Sequence, residues 1–246
     1  MKTCLITGAS GGVAAALAEN LRKDGWKLAL ATRNADKIAP SSNEKIIAAD
    51  VSTEAGAELA LQEATEFFGA IPDAVVNCAG AILIAPIART SEAQYRACLS
   101  ANLDTAFFTS KAYASALQKN KQGGSLVLFS SVAAAMGVSN HAAIAIAKGG
   151  IEALVRSLAA DFSAIGLRVN AIAPGLMQTP ATERMVGNEA AAKQIAAQYP
   201  LGRYGQASDA ANLAAFLVSD QATWISGQVV SVDGGFSAVR PYVKST

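Results

Sequence analysis

The sequence predicts an α/β fold: a doubly wound parallel sheet of about seven strands with helices on both faces. Three observations predict it. Short apolar runs alternate with longer helical patterns along the whole chain. The short runs are continuously apolar rather than alternating, as strands buried on both faces require. A cluster of glycines falls in the first strand-to-helix turn, "ITGASGGVAAAL".

The strands are "TCLITG", "KLALAT", "KIIAAD", "DAVVNCAG", "SLVLFSS", "LRVNAIAPG" and "QVVSVDGG". Between them, "GGVAAALAENLRKDG", "TEAGAELALQEATEFFG", "SEAQYRACLSANLDTAFFTSKAYASALQ", "KGGIEALVRSLAADFSAIG" and "SDAANLAAFLVSD" carry helical periodicity. Ser91 and Ser208 are placed as helix caps, and Gly25, Gly69 and Gly166 as helix stops. Crossovers between parallel strands are right-handed. Residues 175–205 follow a strand end without a clear period. Ligands bind at such ends in open α/β sheets, so residues 176–205 are expected to form a substrate lid. No repeat, low-complexity tract or linker divides residues 1–246, which are expected to form a single dinucleotide-binding domain.

Composition removes several function classes. The chain has 246 residues, 52% hydrophobic, with a formal net charge of +1. That balance offers neither a nucleic-acid surface nor a polybasic membrane patch. No run of about 18 uncharged apolar residues exists to span a bilayer. The opening "MKTCLITGAS" turns into glycine too early for a signal-peptide core. Cys4, Cys78 and Cys98 lack metal or redox spacing, so reduced thiols, no metal and a cytoplasmic location are expected.

The glycine loop places Gly8, Ser10, Gly11, Gly12 and Val13 between the first strand and the first helix. Small residues let the backbone approach a pyrophosphate, and the helix start offers free N–H groups. This is the signature of a Rossmann dinucleotide site. A tight βα turn of any kind also uses glycine, so position within the first βα unit carries the reading. The second strand ends in "LALATRN", with Arg33 and no carboxylate. An acid there serves the ribose 2′-hydroxyl of NAD, and a cation serves the 2′-phosphate of NADP. NADP(H) is therefore expected over NAD(H), although Arg33 also reads as a solvated residue opening the next segment.

Together these motifs resemble the short-chain dehydrogenase/reductase family over essentially the whole chain. "TGASGGVA" is similar to the family's TGxxxGxG loop, with Ala14 for the last glycine. "ADVS" (Asp50, Val51) resembles its adenine-binding turn, and "NCAG" (Asn77, Cys78, Ala79, Gly80) its NNAG motif. "ANLDTAFF" brings the helix asparagine as Asn102, and "LFSS" the active-site serine as Ser131. "APGLMQT" brings Pro174, Gly175 and the nicotinamide-contacting Thr179. "PLGRYGQASDAANLAAFLVSDQATWISGQVVSVDGG" resembles the family's C-terminal third, particularly that of ketoacyl reductases. The resemblance implies a single-domain Rossmann fold, nicotinamide binding with Lys148 on the ribose, hydride transfer and a homotetramer.

One position departs from the pattern. The family's YxxxK motif ends at Lys148, which places its tyrosine at residue 144, where this chain has isoleucine. Residues four apart share a helix face, so a tyrosine there would be tuned by the ammonium. Ile144 can neither give nor take a proton, and losing a positioned acid costs about 10²–10⁴ in rate. Family members that reduce enoyl thioesters carry the spacing YxxxxxxK instead. Here that earlier position is His141, about 4.5 Å along the axis from residue 144. Histidine, with a reference pKa of about 6.5, can serve a developing oxyanion near neutrality. A helix-start histidine bonded to backbone is the plain alternative.

Two classes of function follow: a reductase of small carbonyl or enoyl compounds, or a cofactor-binding protein with little turnover. The candidate pocket residues Ile82, Met136, Ile144, Met177 and Met185 are all apolar, which favours a hydrophobic substrate. The expected tetramer would use helices 91–119 and 148–165, whose small residues Ala153, Ala159 and Ala160 permit close packing against a second copy or against the sheet.

Overall fold

The computed structural model describes residues 1–39 and 41–240. Among the described residues, nine strands occur in chain order: β1 (Thr3–Thr7), β2 (Lys27–Thr32), β3 (Glu44–Ala48), β4 (Ala74–Asn77), β5 (Gly124–Phe129), β6 (Leu167–Pro174), β7 (Met177–Gln178), β8 (Gly205–Gln206) and β9 (Val229–Val232). Seven form one parallel sheet in the order β3-β2-β1-β4-β5-β6-β9, and β7 and β8 pair separately. The seven apolar runs of the sequence supply these seven strands.

Each strand divides its side chains between two cores. Leu5, Ala29, Ala31 and Val75 belong to one, and Ile6, Leu28, Leu30 and Val76 to the other. Successive side chains point to opposite faces. With helices on both faces, neither set meets water, which is why the strands read as unbroken apolar runs. Helices α1 (Gly12–Lys23) and α7 (Ala207–Val218) cover the second core. Helices α2 (Glu54–Phe68), α4 (Thr105–Asn120) and α5 (Ala142–Phe162) cover the first. Short helices α3 (Glu92–Leu99) and α6 (Glu189–Ala196) complete the set.

Three boundaries differ from the sequence reading. The long helix expected over 91–119 is interrupted by a π-turn at Ser100–Asp104. Its buried Asn102 donates through Nδ2 to the Cys98 carbonyl at 2.9 Å, an acceptor the α-helical ladder would otherwise use. Ser91 does cap α3, in a reciprocal box with Gln94. Helix α5 begins six residues before Lys148, with His141 at its N-cap. Ser208 is not a cap. Gln206 precedes α7, and its N–H donates to the Asp209 carboxylate, itself held by Arg203 at 2.6 Å. The helix stops are as expected: Gly25, Gly69 and Gly166 all take positive φ.

Of the α5 alanines expected to permit close packing, Ala153 and Ala160 are exposed, while Ala159 packs on the core. Tyr113 is the largest fully buried side chain, its hydroxyl shared between the Pro72 and Asp73 carbonyls at 2.9 and 3.0 Å. Gly124 makes room for it: a Cβ there would stand 2.3 Å from that hydroxyl. Gly124→Ala is expected to destabilise the fold by about 1–3 kcal/mol through overpacking. Urea unfolding checks this, and an unchanged midpoint would contradict it.

Candidate active site

Strand order reverses between β1 and β4, so their carboxyl ends open a crevice. Thr7 and Asn77 are register partners there, and the Thr7 hydroxyl donates to Asn77 Oδ1 at 2.7 Å. The same Asn77 oxygen accepts from the Ala79 N–H at 3.0 Å. Gly8 has φ +66°, and a Cβ there would lie 2.4 Å from the Ala79 nitrogen. Only glycine lets the loops after β1 and β4 meet backbone to backbone.

Gly11 caps α1 with no side-chain hydrogen bond, and no acid occupies the first turn. The leading N–H groups of a 12-residue helix therefore face a glycine cradle. Thr179 closes over it, its side chain 3.1 Å from a Cβ built on Gly12. These residues fit a dinucleotide pyrophosphate. At the end of β2, Thr32 donates to Ser10 Oγ at 3.2 Å, and Arg33 is exposed. Asp50 accepts from the Ser52 hydroxyl and N–H at 2.7 and 3.1 Å. These bonds, aided by the nearby Arg33 charge, hold its carboxyl below the usual range. Val51 is buried beside it.

Beyond the glycine loop a cavity of about 430 Å³ opens at the ends of β4, β5 and β6. Asn102, Ser131, His141, Ile144 and Lys148 all line it. So do Val13, Ala79, Gly80, Pro174, Gly175 and Thr179, which join it to the glycine loop. Ile82, Met177 and Met185 add apolar wall. Met136 does not line it. Its N–H closes a turn onto the Val132 carbonyl at 3.1 Å, and it is Val132, Ala133 and Val138 of this segment that reach the cavity.

Lys148 is buried, and its Nζ donates to the Phe129 carbonyl at 2.8 Å. No carboxylate pairs with it among the described residues. Burial pushes its ammonium down to about 8, against which the Cys98 and Cys78 thiols act weakly. Burial in turn pushes the Cys78 thiol up to about 12. Asn102 positions the opposite wall. Its amide donates to the Ala81 carbonyl at 3.0 Å, and its oxygen accepts from the Ala81 N–H at 3.3 Å. A Cβ on Gly80 would stand 2.9 Å from Asn102 Oδ1 and 3.6 Å from Lys148 Nζ.

His141 occupies the helix-start position that the sequence offered as the plain alternative, and it borders the cavity. Its Nδ1 lies 2.6 Å from the Ser139 carbonyl. A carbonyl only accepts, so Nδ1 carries the hydrogen and Nε2 is the free position. Ser131 Oγ accepts from the Ala133 N–H at 3.2 Å, which leaves its own hydrogen available.

Sequence reasoning missed Tyr199 and Phe236. Their rings stack at 4.9 Å, and both line the cavity. The Tyr199 hydroxyl accepts from the Leu176 N–H at 2.7 Å, tying the segment before β8 to the end of β6. The pairing spans 37 positions (236 − 199) and leaves no local period to read. The only sequence signal was Tyr199's place inside the 175–205 segment.

A family model described as enoyl-(acyl carrier protein) reductase matches residues 8–237. The 3-oxoacyl-(acyl-carrier-protein) reductase FabG of Escherichia coli is 34% identical over 243 residues, covering 97% of this chain and 98% of that protein. A tropinone reductase homolog of Arabidopsis thaliana is 31% identical over 244 residues, covering 96% and 92%. Among solved structures, a 4-hydroxyisoleucine dehydrogenase complexed with NADH superposes with a TM-score of 0.90 at 25% identity, covering 98% of this chain and all of that one (100%). The chain belongs to the short-chain dehydrogenase/reductase family. It is an oxidoreductase with a nicotinamide-type nucleotide site. Among the described residues no helix is long and apolar enough to cross a membrane, and no cluster of three metal-ligating side chains occurs.

The unpaired Lys148 gives a stability prediction. Its proton is held less tightly in the folded chain than at the ordinary value of 10.5. The penalty is therefore full below about pH 8 and vanishes as pH rises toward 10.5. Lys148→Met should stabilise the cofactor-free protein by about 3 kcal/mol at pH 7, with the gap closing above pH 8. The burial that raises the cysteine pKa values acts oppositely and is common to both proteins. Urea titrations at several pH values measure the gap, and a gap that does not depend on pH would refute the assignment.

Proposed function

We propose that this oxidoreductase uses NADP(H) to reduce small apolar carbonyl or enoyl compounds, with His141 serving the substrate oxygen in place of a tyrosine at residue 144. The observation that carries this reading is that Ser131, His141, Ile144 and Lys148 line one cavity continuous with the glycine loop. The bound cofactor supplies or accepts the hydride. Gly8, Ser10, Gly11, Gly12 and Val13 hold the pyrophosphate, and Asp50 and Val51 hold the adenine. Asn77, Ala79, Gly80, Pro174, Gly175, Thr179 and Lys148 hold the nicotinamide end. Asn102 acts as a positioning residue by fixing the Ala81 backbone.

With Nδ1–H fixed on Ser139, the neutral His141 ring offers a lone pair at Nε2 and acts as base for alcohol oxidation. The imidazolium offers N–H there and acts as acid for reduction. His141→Phe should lower turnover about 10²–10⁴-fold. Unchanged rates would eliminate the role. Ile144→Tyr should restore a donor beside Lys148 and raise ketone reduction.

The seven-residue spacing from His141 to Lys148 and the matched family model favour an enoyl substrate. Similarity to the 3-oxoacyl reductase favours a carbonyl. NADPH consumption against ketones, 3-oxoacyl thioesters and enoyl thioesters decides between them. Tight NADPH binding without turnover across that panel would overturn the reductase reading. It would leave a cofactor-binding protein, which the packing of the unreactive Ile144, 7% exposed, already favours as second reading.

Exposed Arg33, with no acid at the end of β2, supports NADP(H) over NAD(H). Arg33→Ala should narrow the NADPH preference by about tenfold or more, as a lost charge-assisted bond to phosphate does. Fluorescence titrations with both cofactors measure the ratio, and an unchanged ratio would reject Arg33 as the determinant. Residues 176–205 act as the lid, since Leu176, Met177, Thr182, Met185 and Tyr199 all reach the cavity. A homotetramer through α4 and α5 is supported by Phe107, 48% exposed above a groove with Leu103, Gly150 and Leu154. The free buried thiols Cys4 and Cys98 suit a reducing, cytoplasmic location.

A further inference from the structure

A buried lysine without an acid partner has a second chemistry. Lys148 Nζ lines a cavity of about 430 Å³ whose other walls include Ile82, Ile144, Val138 and Met177. Among the described residues its one hydrogen-bond partner is the Phe129 carbonyl. One helical turn earlier stands Ile144, so no hydroxyl shares its face there. Across the cavity Gly80 presents no side chain. The titratable groups nearest to it are the Cys78 and Cys98 thiols, both kept protonated by burial. His141 and Ser131 line the same space and can carry protons.

We propose that, with no nicotinamide cofactor bound, Lys148 is an amine nucleophile that captures small apolar ketones and 1,3-diketones as an imine or enaminone. This goes beyond hydride transfer and does not depend on it. The free amine is accessible because burial brings the ammonium down to about 8. Lysines made reactive by an apolar pocket are established carbonyl nucleophiles.

The step balances without oxidant or reductant. The Nζ lone pair forms a C–N bond to the carbonyl carbon, and the π pair moves to oxygen. That oxygen takes the proton released from Nζ, giving a carbinolamine. A second proton, delivered by His141 or Ser131, lets the hydroxyl leave as water while C=N forms. Nitrogen then returns its remaining proton to the relay. With a 1,3-diketone, the proton is lost instead from the carbon between the two carbonyl positions, nitrogen keeps its own, and the conjugated enaminone forms.

The probes are pentane-2,4-dione, whose enaminone is read by its absorbance, and butanone followed by borohydride, which leaves a secondary amine of fixed added mass. Peptide mapping of the wild-type protein locates the label, so no variant need fold. Lys148 should be labelled on the order of tenfold or more faster than the exposed lysines, because a lower pKa frees more amine at neutral pH. Lys148→Arg should lose that label alone. Saturating NADPH, its binding followed independently by fluorescence, should suppress the labelling. Label confined to exposed lysines would overturn the proposal. Undiminished labelling of Lys148 under saturating NADPH would overturn the exclusion by cofactor.

Discussion

The backbone contact between the turn after β1 and the turn after β4 is the constraint on which the site depends. Gly8 and Ala79 meet at a distance that no side chain could share. The reversal of strand order brings the two turns together, and the Thr7–Asn77 hydrogen bond holds them in register. Asn77 and Asn102 then divide the work along one loop. The first fixes Ala79 and the second fixes Ala81. Gly80, between them, is left facing Lys148 without a side chain. The glycine cradle and the buried Lys148 are thus set at a fixed separation by one sheet crossing.

Asn102 shows how a local conflict serves this arrangement. Its side chain competes with the backbone for the Cys98 carbonyl, and the helix widens into a π-turn instead of excluding it. The regular helix would be the better local structure. The same side-chain amide also pairs with both backbone polar groups of Ala81, so the turn ties the helix to the loop after β4.

The strands were legible because burial on both faces leaves one kind of residue at every position. Leu28 and Leu30 enter one core and Ala29 and Ala31 the other, so the run "LALA" has no polar phase to confuse it. The glycine loop and Lys148 were legible because their chemistry is local to a turn or to one helix face. The π-turn was not, since "SANLDTAFF" has an ordinary helical period and only the distant Ala81 makes Asn102 turn inward. Ser208 misled because a hydroxyl beside a helical run is a common cap, whereas the Arg203–Asp209 pair fixes the start at Gln206 instead. Met136 misled for a similar reason. Composition gave it an apolar role, but in the turn after Ser131 it is Val132, Ala133 and Val138 that line the cavity.

Ile144 changes what the neighbouring cation can be. A phenol beside Lys148 would share its proton network and reward the charged form. An isoleucine, 7% exposed, offers only desolvation, and the ammonium falls to about 8 with one carbonyl as partner. Near that pH the side chain is divided between cation and amine, so its state follows whatever enters the cavity. An anionic nucleotide would raise its proton affinity and make it a hydrogen-bond donor, whereas a neutral carbonyl compound would meet the lone pair. Isoleucine at 144 thus offers no proton donor and leaves the charge of Lys148 to burial and one carbonyl. His141, bonded through Nδ1 to Ser139, is the one imidazole that borders both outcomes.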